Sequence, residues 1–312
     1  MKALSLLSLP VFLACILAAC GPAQPSLQPE DPSESAAASG PAPEADPFAP
    51  NPPAGMKLVW SDEFDVDGRP DPANWTYETG YVRNHEAQWY RPESAGVRDG
   101  CLVITAEHHA QPLPNPRGNG RRFGFGGDNR PIEYTSACLI TKGLHSFQYG
   151  RIEARINAPL MEGSWPAFWT LGVSEKWPSC GETDIFEYFK ETLLANCYWS
   201  SSKGRRMEGH SVKVSLADFR KDDPDWADKF HVYAMDWDEN RFVFSVDGRV
   251  TGDVPIGEVR NGSFVSVENP FRQPHYLLVN LALGGICGGD VTAIKFPIRM
   301  YVDYVRVYQK KK

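Results

Sequence analysis

Three carboxylates stand within six residues in Cys180-Gly181-Glu182-Thr183-Asp184-Ile185-Phe186-Glu187-Tyr188-Phe189, a run otherwise mostly β-branched, aromatic or apolar. That composition favours a strand. Side chains alternate along a strand, so Glu182 and Asp184 share a face, while Glu187, at an odd offset, points away. One surplus residue at Ile185 or Phe186, a β-bulge, returns Glu187 to the face of the other two. Acids gathered this way repel one another. Two carboxylates flanking a glycosidic bond can divide the work of nucleophile and proton donor, and a third between them can hold their protonation states apart. The competing reading of the same charges is a polar strand face looking at water. Trp165, Trp169, Trp177, Tyr188 and Trp199 surround the run, and sugar rings present flat apolar faces that such side chains cover. The glycosidic reading is preferred on that ground.

The elements that must position these acids read as short strands from Met56 onward. Arg151 to Ile156 alternates charged with apolar residues, which predicts one wet and one buried face. His231–Trp237 and Arg241–Val246 are strand-like runs separated by Asp238-Glu239-Asn240, a hairpin signal, and Asp247-Gly248 is a second turn signal. Tyr276–Ala282 and Met300–Tyr308 are also strand-like, and one short helix is expected near Leu216–Phe230. Many short strands with turn signals in one length of chain predict a sandwich or a jelly roll. Gln111–Glu133 reads as a long loop carrying Arg117, Arg121, Arg122 and Arg130. It is open to two readings, the end of a cleft facing an anionic polymer or a solvated insertion.

The chain has 312 residues, 42% hydrophobic and 23% charged, enough for a sizeable core. A formal net charge of −7 leaves no basic footprint, so nucleic acid is not an expected partner. Residues 1–20 read as an export signal, Lys2 followed by an apolar stretch from Ala3 to Ala19. Its end, Leu17-Ala18-Ala19-Cys20-Gly21, is similar to the lipobox of bacterial lipoproteins. Cleavage before Cys20 and acylation of that residue would anchor an exported protein to a membrane, with Gly21 fitting transfer to an outer membrane or cell surface. A plain secretory signal is the competing reading. Residues 21–55, rich in Pro, Ala, Ser and Glu, read as a disordered tether ahead of a folded domain at 56–312. Beyond Cys15 and Cys20, five cysteines remain (Cys101, Cys138, Cys180, Cys197 and Cys287), and no pair has zinc-like spacing. Buried free thiols and a disulfide are both open for them.

Several segments together resemble glycoside hydrolase family 16, the laminarinase-like β-glucanases, agarases and carrageenases. They are Val59-Trp60-Ser61-Asp62-Glu63-Phe64, Asn84-His85-Glu86-Ala87-Gln88-Trp89-Tyr90, Tyr134-Thr135-Ser136-Ala137 and Tyr149-Gly150-Arg151-Ile152-Glu153. Trp165-Pro166-Ala167-Phe168-Trp169, Trp177-Pro178 with the acidic run, Asn280 to Gly285 and Val302 to Tyr308 complete the set. The resemblance implies an all-β jelly-roll sandwich of two curved antiparallel sheets, with substrate in a groove across the concave face. It implies retention of anomeric configuration, with Glu182 as nucleophile, Glu187 as acid/base and Asp184 between them. Phe186 stands where the licheninase type of the family has its second glutamate. Carboxyl groups ~5–5.5 Å apart are required for this chemistry, and the charge of Glu182 is expected to raise the pKa of Glu187.

The same resemblance nominates binding residues. Trp165 and Trp177 are candidates for stacking on sugars, whereas for Trp169 a core role comes first. Asn84, Glu86 and Gln88 are read as one strand face that could hydrogen-bond sugar hydroxyls. Trp199 is placed either in the cleft or in the core, and Gln273 and His275 either at the groove or bracing a loop. Leu194-Ala195-Asn196-Cys197-Tyr198-Trp199 departs from the histidine-containing segment of many laminarinases, which weakens laminarin as the substrate. Some family members hold a structural calcium, for which Glu63 and Asp303 match acidic positions and the carbonyl of Gly100 offers a third ligand, with a salt-linked surface as the competing reading. No cofactor is expected for catalysis. The implied activity is that of a monomeric, endo-acting retaining hydrolase of a β-1,3- or mixed-linkage β-glucan. An algal galactan, transglycosylation and a non-catalytic glucan-binding protein are the alternatives.

Overall fold

The computed structural model describes residues 52–116, 130–201, 207–262 and 265–311. Cys20, nearly all of the expected tether, and Arg117, Arg121 and Arg122 lie outside them. In chain order the strands are β1 (Met56–Asp62), β2 (Thr76–Tyr77), β3 (Gln88–Tyr90), β4 (Ala95–Arg98), β5 (Cys101–Leu113), β6 (Ile132–Ser136), β7 (Cys138–Ile140), β8 (Gly150–Asn157) and β9 (Ser164–Gly172). They continue as β10 (Glu182–Phe189), β11 (Thr192–Ser200), β12 (Met207–Ser215), β13 (His231–Trp237), β14 (Arg241–Val246), β15 (Arg249–Pro255), β16 (His275–Leu283) and β17 (Ile298–Lys310). One sheet runs β15-β14-β13-β8-β17-β5-β6-β3, with β1 on β17 and β4 on β5; the other runs β12-β11-β10-β9-β16-β7-β2. Among these pairings only β3 with β6 is parallel. The molecule is the expected jelly-roll sandwich of two sheets.

The core lies between the sheets because each strand alternates. Phe168, Ile185, Phe186, Leu193, Cys197, Trp199, Leu277 and Val279 face Ile152, Ile156, Tyr233, Met235, Phe244 and Val305 across it. Apart from one irregularity in β10, alternate residues of the seven-stranded sheet point to its outer face. There Trp165, Ala167, Trp169, Tyr276, Leu278 and Ala282 form a second apolar cluster with Tyr90. The chain leading into β3 covers part of that cluster. Ala87 N donates to Leu283 O, Gln88 Oε1 accepts from Leu283 N at 2.7 Å, and Tyr90 OH accepts from Asn280 Nδ2 at 3.1 Å.

Local signals hold in detail. Asp238 Oδ1 accepts from the amides of Asn240 and Arg241 in the β13–β14 turn, and Asp247 and Gly248 both take positive φ in the next one. The expected helix is shorter than its window. Ser215 Oγ caps α1 (Leu216–Arg220), and a 3₁₀ turn follows at Trp226–Asp228. The wet face expected of Arg151–Ile156 is a correction. β8 is central, and its charged residues Glu153 and Arg155 are buried beneath an ion-pair network. Arg151 holds Glu153 and Asp236, and Arg155 holds Asp303 at 2.7 Å while lying over Phe230. All five cysteines of the domain are free thiols, four of them buried.

Candidate active site

The acidic run forms β10, and its irregularity is visible against both neighbours. On the β9 side Asp184 pairs with Trp169 and Phe186 with Phe168, so Ile185 is surplus. On the β11 side Asp184 pairs with Asn196 and Glu187 with Leu194, again one residue too many on β10. The bulge turns Ile185 and Phe186 into the core together, with Phe186 4.1 Å from the Tyr233 ring. Glu187 therefore rejoins Glu182 and Asp184 on the outer face. Glu182 and Glu187 are half-buried and open to solvent, while Asp184 is covered between them.

Each glutamate is held by an indole. Trp177 Nε1 donates to Glu182 Oε2, and Trp165 Nε1 donates to Glu187 Oε1, both at 2.7 Å. Asn196, reaching across from β11, donates through Nδ2 to Asp184 Oδ2 at 2.9 Å and to Glu187 Oε2 at 2.7 Å. Its own Oδ1 is buried and has no hydrogen-bond partner. Burial raises all three carboxyl pKa values, because the charged form loses water. For Glu182 burial and the neighbouring charge of Glu187 outweigh the Trp177 N–H and Arg83, leaving its pKa at about 7. Asp184 is pushed well above its ordinary range by burial and by both glutamates. Glu187 rises through burial, against the pull of Trp165 and Asn196. The expected cause for Glu187, repulsion from Glu182, is thus replaced by desolvation.

The nominated binding residues divide. Trp177 is 54% exposed and keeps a face for a ligand. Trp165 is buried, with its ring edge-on to Phe189. Trp169 is spent inside the protein: it donates to Asn280 Oδ1 at 2.7 Å, and the Arg83 guanidinium lies 4.9 Å from its ring centroid. Trp199 belongs to the core, packed edge-on against Phe271, because alternation on β11 sends it inward with Cys197. Asn84, Glu86 and Gln88 do not form a strand face. Asn84 and His85 take positive φ in a turn, and Glu86 and Gln88 are buried. Gln88 donates to Glu86 and accepts from Leu283, so it braces the wall instead of offering groups to a sugar. Gln273 and His275 brace as well, Gln273 between Cys180 O and Ser174 N, and His275 between Thr170 and Pro270 O.

The calcium ligand set meets competition. Arg306 holds both oxygens of Glu63, and Arg155 holds Asp303, so each carboxylate already has a cationic partner. Among the described residues no three His, Cys, Asp or Glu side chains group as a metal site. A donor set neutralised in this way does not fit a divalent cation.

Sequence reading missed Asn196, Tyr198, Arg83 and Glu78. Glu78 takes the Arg83 guanidinium through both carboxylate oxygens and receives the Cys138 thiol at 3.2 Å. Arg83 in turn favours the ionised form of Glu182. The register of the β10–β11 hairpin would have found Asn196 and Tyr198, which stand opposite Asp184 and Glu182.

Comparison with known proteins agrees with this geometry. The model of glycosyl hydrolases family 16 matches residues 85–305. A β-glucanase of Rhodothermus marinus is 36% identical over 270 residues, covering 81% of this chain and 85% of the relative. The laminarinase catalytic domain of Thermotoga maritima MSB8 superposes with a TM-score of 0.66 at 32% identity, covering 82% of this chain and 99% of its own. A solved structure described by the words "Prominent members of the human gut microbiota express endo-acting O-glycanases to initiate mucin breakdown" superposes with a TM-score of 0.73 at 29% identity, covering 83% and 92% of the two chains. The chain belongs to glycosyl hydrolases family 16.

Proposed function

We propose that the protein is an endo-acting, retaining hydrolase of a β-linked polysaccharide, with a β-1,3- or mixed-linkage glucan as substrate. The observation that carries the reading is the bulge at Ile185, which puts two solvent-facing glutamates and one covered aspartate on a single sheet face. Glu182 attacks the anomeric carbon while Glu187, protonated, gives its proton to the departing oxygen. Glu187 then takes a proton from the water that releases the glycosyl-enzyme. Trp177 and Arg83 favour the carboxylate form of Glu182, as a nucleophile needs. Burial favours the protonated form of both glutamates, and for Glu187 that is the form an acid needs. Asp184 separates the two, and burial together with both glutamates favours its protonated form. The Cys20 anchor and its tether would hold this domain at a membrane surface, within reach of a polymer.

An algal galactan is the second reading, supported by a 28% identical relative named keratan-sulfate endo-1,4-beta-galactosidase. A non-catalytic glucan-binding role is disfavoured because all three acids are present and share one face. The test is reducing-sugar release from laminarin, lichenan, agarose, porphyran and carrageenan, with Glu182→Gln and Glu187→Gln as blanks. Near-complete loss in both variants, with oligosaccharide binding retained, is expected. Turnover like the wild type in either one would remove the assignment.

A further inference from the structure

Tyr198 is the aromatic residue that β11 sends to the outer face, between Asn196 and the end of the strand. It stands opposite Glu182 on one side and opposite Gly209 of the edge strand β12 on the other. Gly209 decides how the ring lies. A Cβ built on Gly209 would sit 2.3 Å from Tyr198 Cδ1, 2.7 Å from Cε1 and 2.7 Å from the backbone oxygen of Cys197, distances no real side chain tolerates. The ring therefore lies down on β12, in the place a side chain at 209 would take. Its hydroxyl ends 3.5 Å from Ser211 Oγ, two residues further along the same strand.

This ring is not a core residue. Trp199 and Cys197 fill the interior side of β11, whereas Tyr198 is half-exposed and Gly209 is exposed. Lying flat beside a carboxylate of the site, it presents a face to whatever crosses the sheet. Neighbouring strands lie about 4.8 Å apart, close to the length of one pyranose unit. A polysaccharide crossing the strands at Glu182 thus brings its next one or two units over β11 and β12. We propose that Tyr198 is a sugar-stacking residue on the β12 side of the cleaved bond, and that Gly209 supplies the space in which its ring lies flat. The inference rests on the glycanase reading above. It adds a specificity-determining residue on the arm of the groove opposite the wall built by Glu78–Tyr90. A ring face selects for the flat apolar face of a β-linked pyranose, and Tyr offers it at small conformational cost.

The test uses the full chain and the polysaccharide of the panel that the wild type degrades fastest. Tyr198→Ala is expected to lower kcat/KM about 10-fold or more, chiefly through KM, with an unchanged melting transition. Tyr198→Phe, which keeps the ring, recovers that loss. Tyr198→Leu, which keeps apolar bulk without a ring face, is expected to keep the defect. Unchanged KM in Tyr198→Ala, or full recovery in Tyr198→Leu, would overturn the inference. If the wild type cleaves no polymer, the glycanase reading fails by itself. Stacking is then read from retardation in native gels cast with each polysaccharide. Tyr198→Ala migrating as slowly as the wild type in a retarding gel, or a wild type retarded by none, rejects the inference.

Discussion

Trp177 Nε1 donates a 2.7 Å hydrogen bond to Glu182 Oε2, from an indole that is itself more than half exposed. One side chain thereby offers an apolar face to a ligand and stabilises the charge of the nucleophile. A hydrogen bond to the charged form lowers a carboxyl pKa, and here it opposes the burial that carries Glu182 to about 7. Trp177→Phe keeps an aromatic face and removes the donor. The pKa of Glu182 then rises, and more of the enzyme holds a protonated, unreactive Glu182 at any given acidic pH. The acid limb of the kcat/KM profile is expected to move to higher pH, toward and past neutrality, with a smaller change on the alkaline side. An unmoved acid limb would mean that this bond does not govern the nucleophile.

Asn196 acts on the other half of the site. Its single NH₂ group reaches both Asp184 and Glu187, and it favours the ionised forms of the two. Asn196→Ala is expected to raise the pKa of Glu187, so the alkaline limb of the profile moves to higher pH. It also frees the Glu187 carboxyl from its fixed aim, and kcat is expected to fall by about 10- to 100-fold. A fall in kcat with both limbs fixed would leave Asn196 only a geometric role.

The burial of these acids has a stability consequence with a definite sign. A carboxyl whose folded pKa lies above its unfolded value binds more protons when folded, so stability falls as pH rises through that window. For Glu182 the window runs from 4.5 to about 7. Replacing Glu182 by Gln removes the penalty. At pH 8 the variant is expected to be more stable than the wild type by ~1–3 kcal/mol. The difference should vanish below pH ~4, where both forms are protonated. Asp184→Asn is expected to behave likewise, since its shift has the same sign. Urea unfolding at the two pH values measures both, and a wild type more stable than Glu182→Gln at pH 8 would contradict the electrostatic account.

The sequence made the bulge legible because E-x-D-x-x-E cannot gather its acids on a regular strand. The strands and the β13–β14 turn were legible for similar local reasons. Parity on β11 was not. It is set by the β10–β11 hairpin, whose two-residue loop is Lys190-Glu191, both at positive φ. Neither residue carries the Asn-Gly signature that marks such a turn, so no local signal told whether Tyr198 or Trp199 faces the site. The Asn84–Gln88 run misled for a related reason. His85 and Asn84 turn the backbone, and the short spacing that imitates a strand face instead folds Gln88 back onto Glu86.

The surplus residue itself can be tested by removing it. Against β9 the pairing passes from Asp184–Trp169 to Phe186–Phe168 and then Glu187–Ala167, so β9 already keeps the register of a strand without Ile185. Deleting Ile185 leaves Asp184-Phe186-Glu187 in regular alternation, with Phe186 inward and Glu187 still outward. The cost is the loss of a buried isoleucine from the core, about 2–5 kcal/mol on the scale of large-to-small core changes. The expected outcome is a folded, less stable protein whose residual hydrolysis exceeds that of Glu187→Gln by about 10-fold or more. Ile185→Ala is the control for the core loss alone. A folded deletion variant as inactive as Glu187→Gln would show that the bulge sets the aim of Glu187 and not merely its face.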